Sequence, residues 1–292
     1  MNEPRRSGLI INADDFGLTP GVNRGIVSAF REGVLTSTTA MVNMRYFDEA
    51  VELARENPDL PVGIHLTLLW GRPVSNPAGV PSLVDREGRF PRSLGTLGRR
   101  YFLGHIEPEH LKAEFRAQIR KFQQAGLRPT HLDTHKHVHC LPGVLRAMLA
   151  VAREFDIRRI RFPVEQNPAE SDSDAPDLPR SSWTATAKRQ LIRTLCARNR
   201  GELDAAGVRT TDHFVGIRYQ DCLNSGTFSL ILNTLGSGVT ELMCHPGYND
   251  EHLGEYSSVP PYREQELEGL KDPQVRKLVE SRSIRLMHYG EL

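Results

Sequence analysis

Short runs of β-branched and aliphatic residues recur along the chain, separated by longer stretches in which apolar residues return every three or four positions. This alternation of two periods constrains the fold more than any other feature, because it is the pattern of parallel strands joined by crossover helices. The strand candidates are 9–13, 38–42, 62–68, 130–134, 159–162, 213–216, 240–244 and 284–288. Helical spacing marks 20–31, 46–56, 108–125, 142–155, 183–203 and 228–235. Pro20, Pro108 and Pro142 stand where first helical turns would begin, a position at which the missing N–H of proline costs nothing. Eight strands in this order predict an α/β barrel. At 292 residues a barrel with insertions accounts for the whole chain, 1–292, as one domain. The rhythm breaks near 70–103, rich in Gly, Pro and Arg, and near 164–182. The first break follows a candidate site residue, His65, which favours a substrate-contacting role for it.

Charge excludes several partner classes. With 37 Lys and Arg against 36 Asp and Glu, the net charge is +1, so no global field gathers nucleic acid. No uninterrupted apolar stretch is long enough to span a membrane. The N-terminal residues lead straight into an apolar strand without the pattern of a secretory signal, and the expected location is cytoplasmic. Cys140, Cys196, Cys222 and Cys244 form no C-x-x-C pair, so reduced, mostly buried thiols are expected. The segment 183–200 sets Lys188, Arg189, Arg193, Arg198 and Arg200 among Trp183, Leu191, Ile192 and Leu195. Such a helix either lies on an anionic membrane, here the inner membrane, or turns an apolar stripe to the core; the second is the commoner case. A homodimer is compatible with the sequence.

Four segments place ionisable residues at the C-terminal ends of predicted strands: Asn12-Ala13-Asp14-Asp15-Phe16-Gly17, Gly63-Ile64-His65-Leu66, His131 through His139, and Cys244-His245-Pro246-Gly247. In parallel α/β folds that edge is where sites are built. Asp14 and Asp15 are expected to point to opposite sides of an extended chain, and would repel if both faced one apolar pocket; a bound cation resolves that conflict. Strict alternation sends Gly63, His65 and Thr67 to one face of their strand. His131, His135, His137 and His139 crowd into nine residues, a density that points to metal ligation because neutral imidazole is the commonest protein metal ligand. His135 leaves a strand end and is preferred as the ligand, with Asp133, His137 or His139 behind it or against substrate. His245, exposed by the turn at Pro246-Gly247, suits a general acid.

Together with Thr36-Ser37-Thr38-Thr39, these segments resemble, in order and across nearly the whole chain, the YdjC-type carbohydrate deacetylases. The resemblance implies a distorted TIM-like (β/α) barrel, one divalent metal ion held by Asp15, His65 and His135, and an N-acetylated amino sugar as substrate. Overall length and the basic segment near 183–200 look most like the hopanoid-biosynthesis-associated branch (HpnK-type), which implies an N-acetylglucosaminyl hopanoid lipid; the chitooligosaccharide branch carries the same core motifs. On this reading Asp14 takes the proton of the attacking water and His245 gives one to the departing amine, though sequence alone allows Asp14 and Asp15 to exchange roles. Zinc or magnesium would suit the ligand set. A metal-dependent phosphoesterase and a non-catalytic sugar-binding protein are the rival classes.

Overall fold

The computed structural model describes residues 7–165, 183–220, 222–256 and 261–292; most of the expected insertion at 164–182 lies outside them. Strand β1 (Gly8–Phe16) is buried along its whole length, as a strand covered on both faces must be. Helix α1 (Pro20–Glu32) starts at Pro20, with the Thr19 hydroxyl accepting from the Val22 N–H, so one of the unpaired first-turn donors is satisfied. β2 (Ser37–Ala40), α2 (Phe47–Glu56), β3 (Val62–Leu66), α3 (Leu94–Phe102), α4 (Pro108–Gln124), β4 (Leu132–Thr134) and α5 (Pro142–Glu154) follow. Then come α6 (Trp183–Ala206), β5 (His213–Val215), α7 (Ser225–Asn233), β6 (Val239–Cys244), α8 (Pro261–Lys271), α9 (Pro273–Ser281) and β7 (Arg285–Met287).

Every strand pairing is parallel, and the order β4-β3-β2-β1-β6-β5 curves into a distorted TIM-like barrel. Two of the expected eight strands differ from the pattern. The candidate at 159–162 makes only single bridges, Ile160 to Leu132 and Arg159 to Arg209, with Glu165 bridging to Phe214 farther on; this irregular stave joins β4 to β5 and closes the ring. β7 is not a full stave either. One side of β1 pairs with β6 from Gly8 to Ala13, while the other is divided between β7 at Gly8–Ile10 and β2 from Asn12 onward.

Alternation sorts the two strand faces. Leu9, Ile11 and Ala13, like Val62, Ile64 and Leu66, join the main apolar cluster, whereas Asn12, Ser37, Thr39, His65, Asp133 and Glu241 are buried polar residues that hydrogen-bond one another or a common arginine across the lumen. The barrel interior is therefore a polar network, affordable only because its members are paired.

α6 turns Ile192 and Cys196 inward onto Cys140, Leu145 and Phe214, as the commoner of the two readings of 183–200 expects, while Leu191 stays exposed. The break at 70–103 is not an open loop: it contains α3, and Glu114 of α4 accepts from the Val74 and Ser75 N–H groups, fixing it against the barrel. The cysteines are free, as expected, and all but Cys222 are buried.

Candidate metal centre

The site begins with an irregularity in β1. Ala13 pairs with Thr38 but Phe16 with Ala40, so β1 carries one residue more than its partner in that interval, and Asp15 adopts φ 73°. A bulge of this kind bends the strand and re-aims side chains. It corrects the expectation that adjacent carboxylates diverge: Asp14 and Asp15 both serve the C-terminal mouth of the barrel. A left-handed aspartate is held there at a cost of order 1 kcal/mol, a strain that recurs at functional sites.

Asp15 Oδ1 lies 3.2 Å from His135 Nδ1 and 3.6 Å from His65 Nε2, and one ligand atom from each of the three residues falls within 4.8 Å of the others. His65 Nδ1 is 2.7 Å from Asp133 Oδ1, so its N–H donates to that carboxylate and Nε2 faces Asp15, the orientation of a ligating histidine with its carboxylate behind it. Asp15 Oδ1 and His135 Nε2 are buried without a hydrogen-bond partner, which a native interior rarely tolerates unless a ligand completes them. These residues fit a divalent cation. The alternative cluster of Asp14, His65 and Asp133 fits less well, because Arg161 already occupies both of its carboxylates.

His135 reaches this place through a strained loop. Lys136 and His137 have φ of 58° and 56°, so the stretch from His135 to His139 is not a helical face and cannot chelate from one. Burial pushes the His135 pKa down to about 4, leaving a neutral ring ready to donate its lone pair. Burial opposes charge on His65 too, but Asp133, Asp14 and Asp15 overcome it and raise that pKa to about 9. Uptake of a divalent ion near pH 7.5 should then displace about one proton, from His65, and affinity should climb about tenfold per pH unit until the pH nears the His65 value. Calorimetric titration in buffers of different ionisation enthalpy measures this; no proton release would remove His65 from the ligand set.

The remaining donors are organised by arginines. Arg161, fully buried, grips Asp14 with both terminal nitrogens at 2.7 Å and also meets Asp133 at 2.6 Å and Glu241 at 2.8 Å. Burial alone would raise the Asp14 pKa; Arg161, His65 and His245 instead hold it below the usual carboxylate range. Arg263 Nη2 donates to Asp15 Oδ2 at 2.5 Å. His245 donates its backbone N–H to Glu266, while burial lowers its ring pKa to about 3, so the ring is neutral near pH 7.

The other histidines divide differently from expectation. His139 Nε2 donates to the Arg161 carbonyl at 3.0 Å and Nδ1 lies 2.6 Å from the Thr134 hydroxyl, so it braces Arg161 and has no nitrogen left for substrate. His131 stacks on Tyr289 with ring centroids 3.7 Å apart, and His137 meets Phe214 edge-on. Arg161, Arg263, Glu241 and Glu266 lie outside the recognisable motifs, and nothing local in the sequence marks them. Trp70 could have been suspected as the first aromatic after His65: its ring lies 4.6 Å from that of His135, and it lines a cavity of about 570 Å³ with Arg89, Arg92, Arg100 and Tyr256.

The turn carrying His245 rests directly on α1. A Cβ added at Gly25 would come within 2.5 Å of Gly247 Cα, backbone against backbone, so Gly25→Ala must displace the turn. Expected are a loss of about 1–3 kcal/mol in stability and a fall in kcat larger than any change in metal content. Unchanged kcat would show that the position of His245 does not limit turnover.

A family model described as YdjC-like protein matches residues 8–281. A carbohydrate deacetylase of Brevibacillus brevis is 38% identical over 97% of this chain and 99% of its own length. A chitooligosaccharide deacetylase of Yersinia enterocolitica is 32% identical over 97% and 98%. The crystal structure of a candidate cellobiose-phosphate cleavage protein from Enterococcus faecalis superposes with a TM-score of 0.75 at 32% identity, covering 98% of both chains. By motif order, barrel geometry and extent of match, the chain belongs to the YdjC-like family.

Proposed function

We propose that the protein is a divalent-metal-dependent hydrolase that removes the N-acetyl group from an acetylated amino sugar. The observation that carries this reading is the convergence of the unsatisfied Asp15 Oδ1 with His65 and His135, beside Asp14 and His245; the deacetylase names of the relatives support it. A cation bound by Asp15, His65 and His135 would supply Lewis acidity, making water more acidic and the amide carbonyl more electrophilic.

The chain's own residues then manage position and protons. Arg161 fixes the Asp14 carboxylate in ionised form, so it orients the attacking water and accepts its proton. Its low basicity makes that tenure brief. His245, neutral at the outset, takes the proton on and delivers it to the sugar nitrogen as the C–N bond breaks, leaving acetate and a free amine. Trp70, packed on His135 and anchored by donation from Nε1 to the Arg92 carbonyl at 2.9 Å, shields this proton traffic from solvent.

For the substrate, the hopanoid-linked N-acetylglucosamine implied by the sequence resemblance and a chitooligosaccharide share the same acetylated sugar. The Yersinia relative's name favours the oligosaccharide at the site itself, and a cavity lined by Trp70 and Tyr256 as well as Asp85 and Arg92 offers a sugar ring both stacking and hydrogen-bonding groups. A phosphoesterase reading gains one observation, since Arg89, Arg92 and Arg100 border the cavity. Parallel assays of acetate and phosphate release separate these readings, using N-acetylated chitooligosaccharides, an N-acetylglucosaminyl lipid and sugar phosphates. Acetate release abolished by chelator and restored by zinc or magnesium is expected; phosphate release without acetate would overturn the proposal.

A further inference from the structure

Helix α3 is firmly seated yet ends in an uncovered apolar tip. Leu97 is buried beneath it, the Tyr101 hydroxyl accepts from the Gly143 N–H at 3.1 Å, and Arg100 donates to the Val84 carbonyl at 2.9 Å. Beyond these anchors Phe102 is 73% exposed and Leu103 59%, and Leu94 at the other end of the helix is 41% exposed. Gly104, with φ 72°, turns the chain back immediately afterwards, so Phe102 and Leu103 form a point. Isolated exposed apolar residues are ordinary. Two adjacent ones on the tip of a rigid helix are not, because water gains nothing from them there.

The charge around the tip decides what covers it. Residues 92–106 contain Arg92, Arg99 and Arg100 and no Asp or Glu, while Arg89 just before them is ion-paired with Asp85 and Glu87. A second copy of the chain would bring an identical cationic surface against this one, and the apolar core of a protein interface is normally depleted of charge. An anionic bilayer offers both complements at once: an acyl boundary for two apolar side chains and phosphates for the arginines around them.

We propose that 94–103 is a docking surface for an anionic lipid bilayer, with Phe102 and Leu103 entering the headgroup boundary and Arg99 meeting lipid phosphate. Thr96 and Arg100 of this segment line a cavity together with Trp70, whose ring packs on that of His135, so docking would bring that cavity close to the headgroups. The inference goes beyond the deacetylase reading and does not depend on it, since binding is measured without turnover.

The test is co-sedimentation of the full chain with vesicles of phosphatidylglycerol and phosphatidylcholine, against vesicles of phosphatidylcholine alone. Salt-sensitive binding to the anionic vesicles only is expected. The double variant Phe102→Ser, Leu103→Ser and the single variant Arg99→Glu should each weaken it about tenfold or more, with Tm and metal content unchanged. The α6 variant Arg193→Glu, Arg198→Glu should bind like the parent. Absence of binding to anionic vesicles, or binding unaffected by the tip variants, would overturn the proposal. So would binding lost only in the α6 variant, or a tip variant that converts a dimer to a monomer in light scattering, which would make the tip a contact between copies.

Discussion

Asp15→Asn should lose both the metal and the activity, whereas Asp14→Asn should keep the metal and lose only the activity. The two carboxylates are neighbours in sequence but are held by different partners. Asp15 leaves Oδ1 unsatisfied where His65 and His135 converge, and Arg263 secures only its other oxygen. An asparagine there retains one carbonyl oxygen but not the negative charge that a divalent cation needs from the only anionic member of the triad. Occupancy measured by elemental analysis should fall below half, and kcat/KM should fall by more than the roughly 10- to 100-fold that loss of an outer hydrogen-bond partner costs at a metal site. Asp14 accepts from Arg161 at both oxygens, which offsets the charge a cation would need from a ligand yet leaves each oxygen a second lone pair for the water's proton. Asn in its place removes the proton acceptor, a loss of about 10²–10⁴ in kcat, with metal content near that of the parent. If Asp14→Asn loses the metal while Asp15→Asn keeps it, the assignments must be exchanged.

What sequence could supply here depended on whether a residue announced itself locally. His65 did: alternation within Val62–Leu66 places it opposite the aliphatics that face the main core. His245 was marked only by its place at a strand end before Pro246-Gly247, where a structural role fits as well as a general acid. The choice of Asp15 over Asp14 depends on one extra residue in β1 and a left-handed φ, neither of which a strand pattern reveals. For the same reason four histidines within nine residues resolve into a candidate ligand, a brace and two packed rings only when the strained turn at Lys136 and His137 is seen. α8 and α9 were also missed as elements, since nothing in their charge-rich sequence stands out from solvated loop. Arg161 was the least legible of all. It lies on the irregular stave between β4 and β5, in a run with Arg158 and Arg159 that reads as a solvated edge. Its importance comes from three strands that converge on it from distant parts of the chain.

That convergence makes Arg161 the residue whose loss should cost the fold most. Its guanidinium is fully buried between Asp14, Asp133 and Glu241, and Glu241 also accepts from the Tyr289 hydroxyl. Removing it strands three carboxylates in the barrel lumen with fewer donors. Breaking a buried ionic cluster from one side costs about 3–5 kcal/mol, so Arg161→Leu should lower Tm by roughly 6–15 °C for a chain of this size or fail to accumulate as folded protein. The pH dependence identifies the cause. Without the arginine, burial is left to raise the pKa values of Asp14 and Glu241 above their unfolded values, so the folded state holds more protons than the unfolded state over the interval between. Stability should therefore increase as pH falls from neutrality toward about 5, opposite to a general loss of packing. Arg161→Lys, which keeps the charge but not the fork, should fold with an intermediate Tm and a kcat reduced about 10- to 100-fold through a loosened Asp14. Thermal melts of both variants from pH 5 to 8 make the comparison. If Arg161→Leu matches the parent in Tm, or both variants lose stability in parallel with no recovery on the acid side, Arg161 does not hold the carboxylates of this site together.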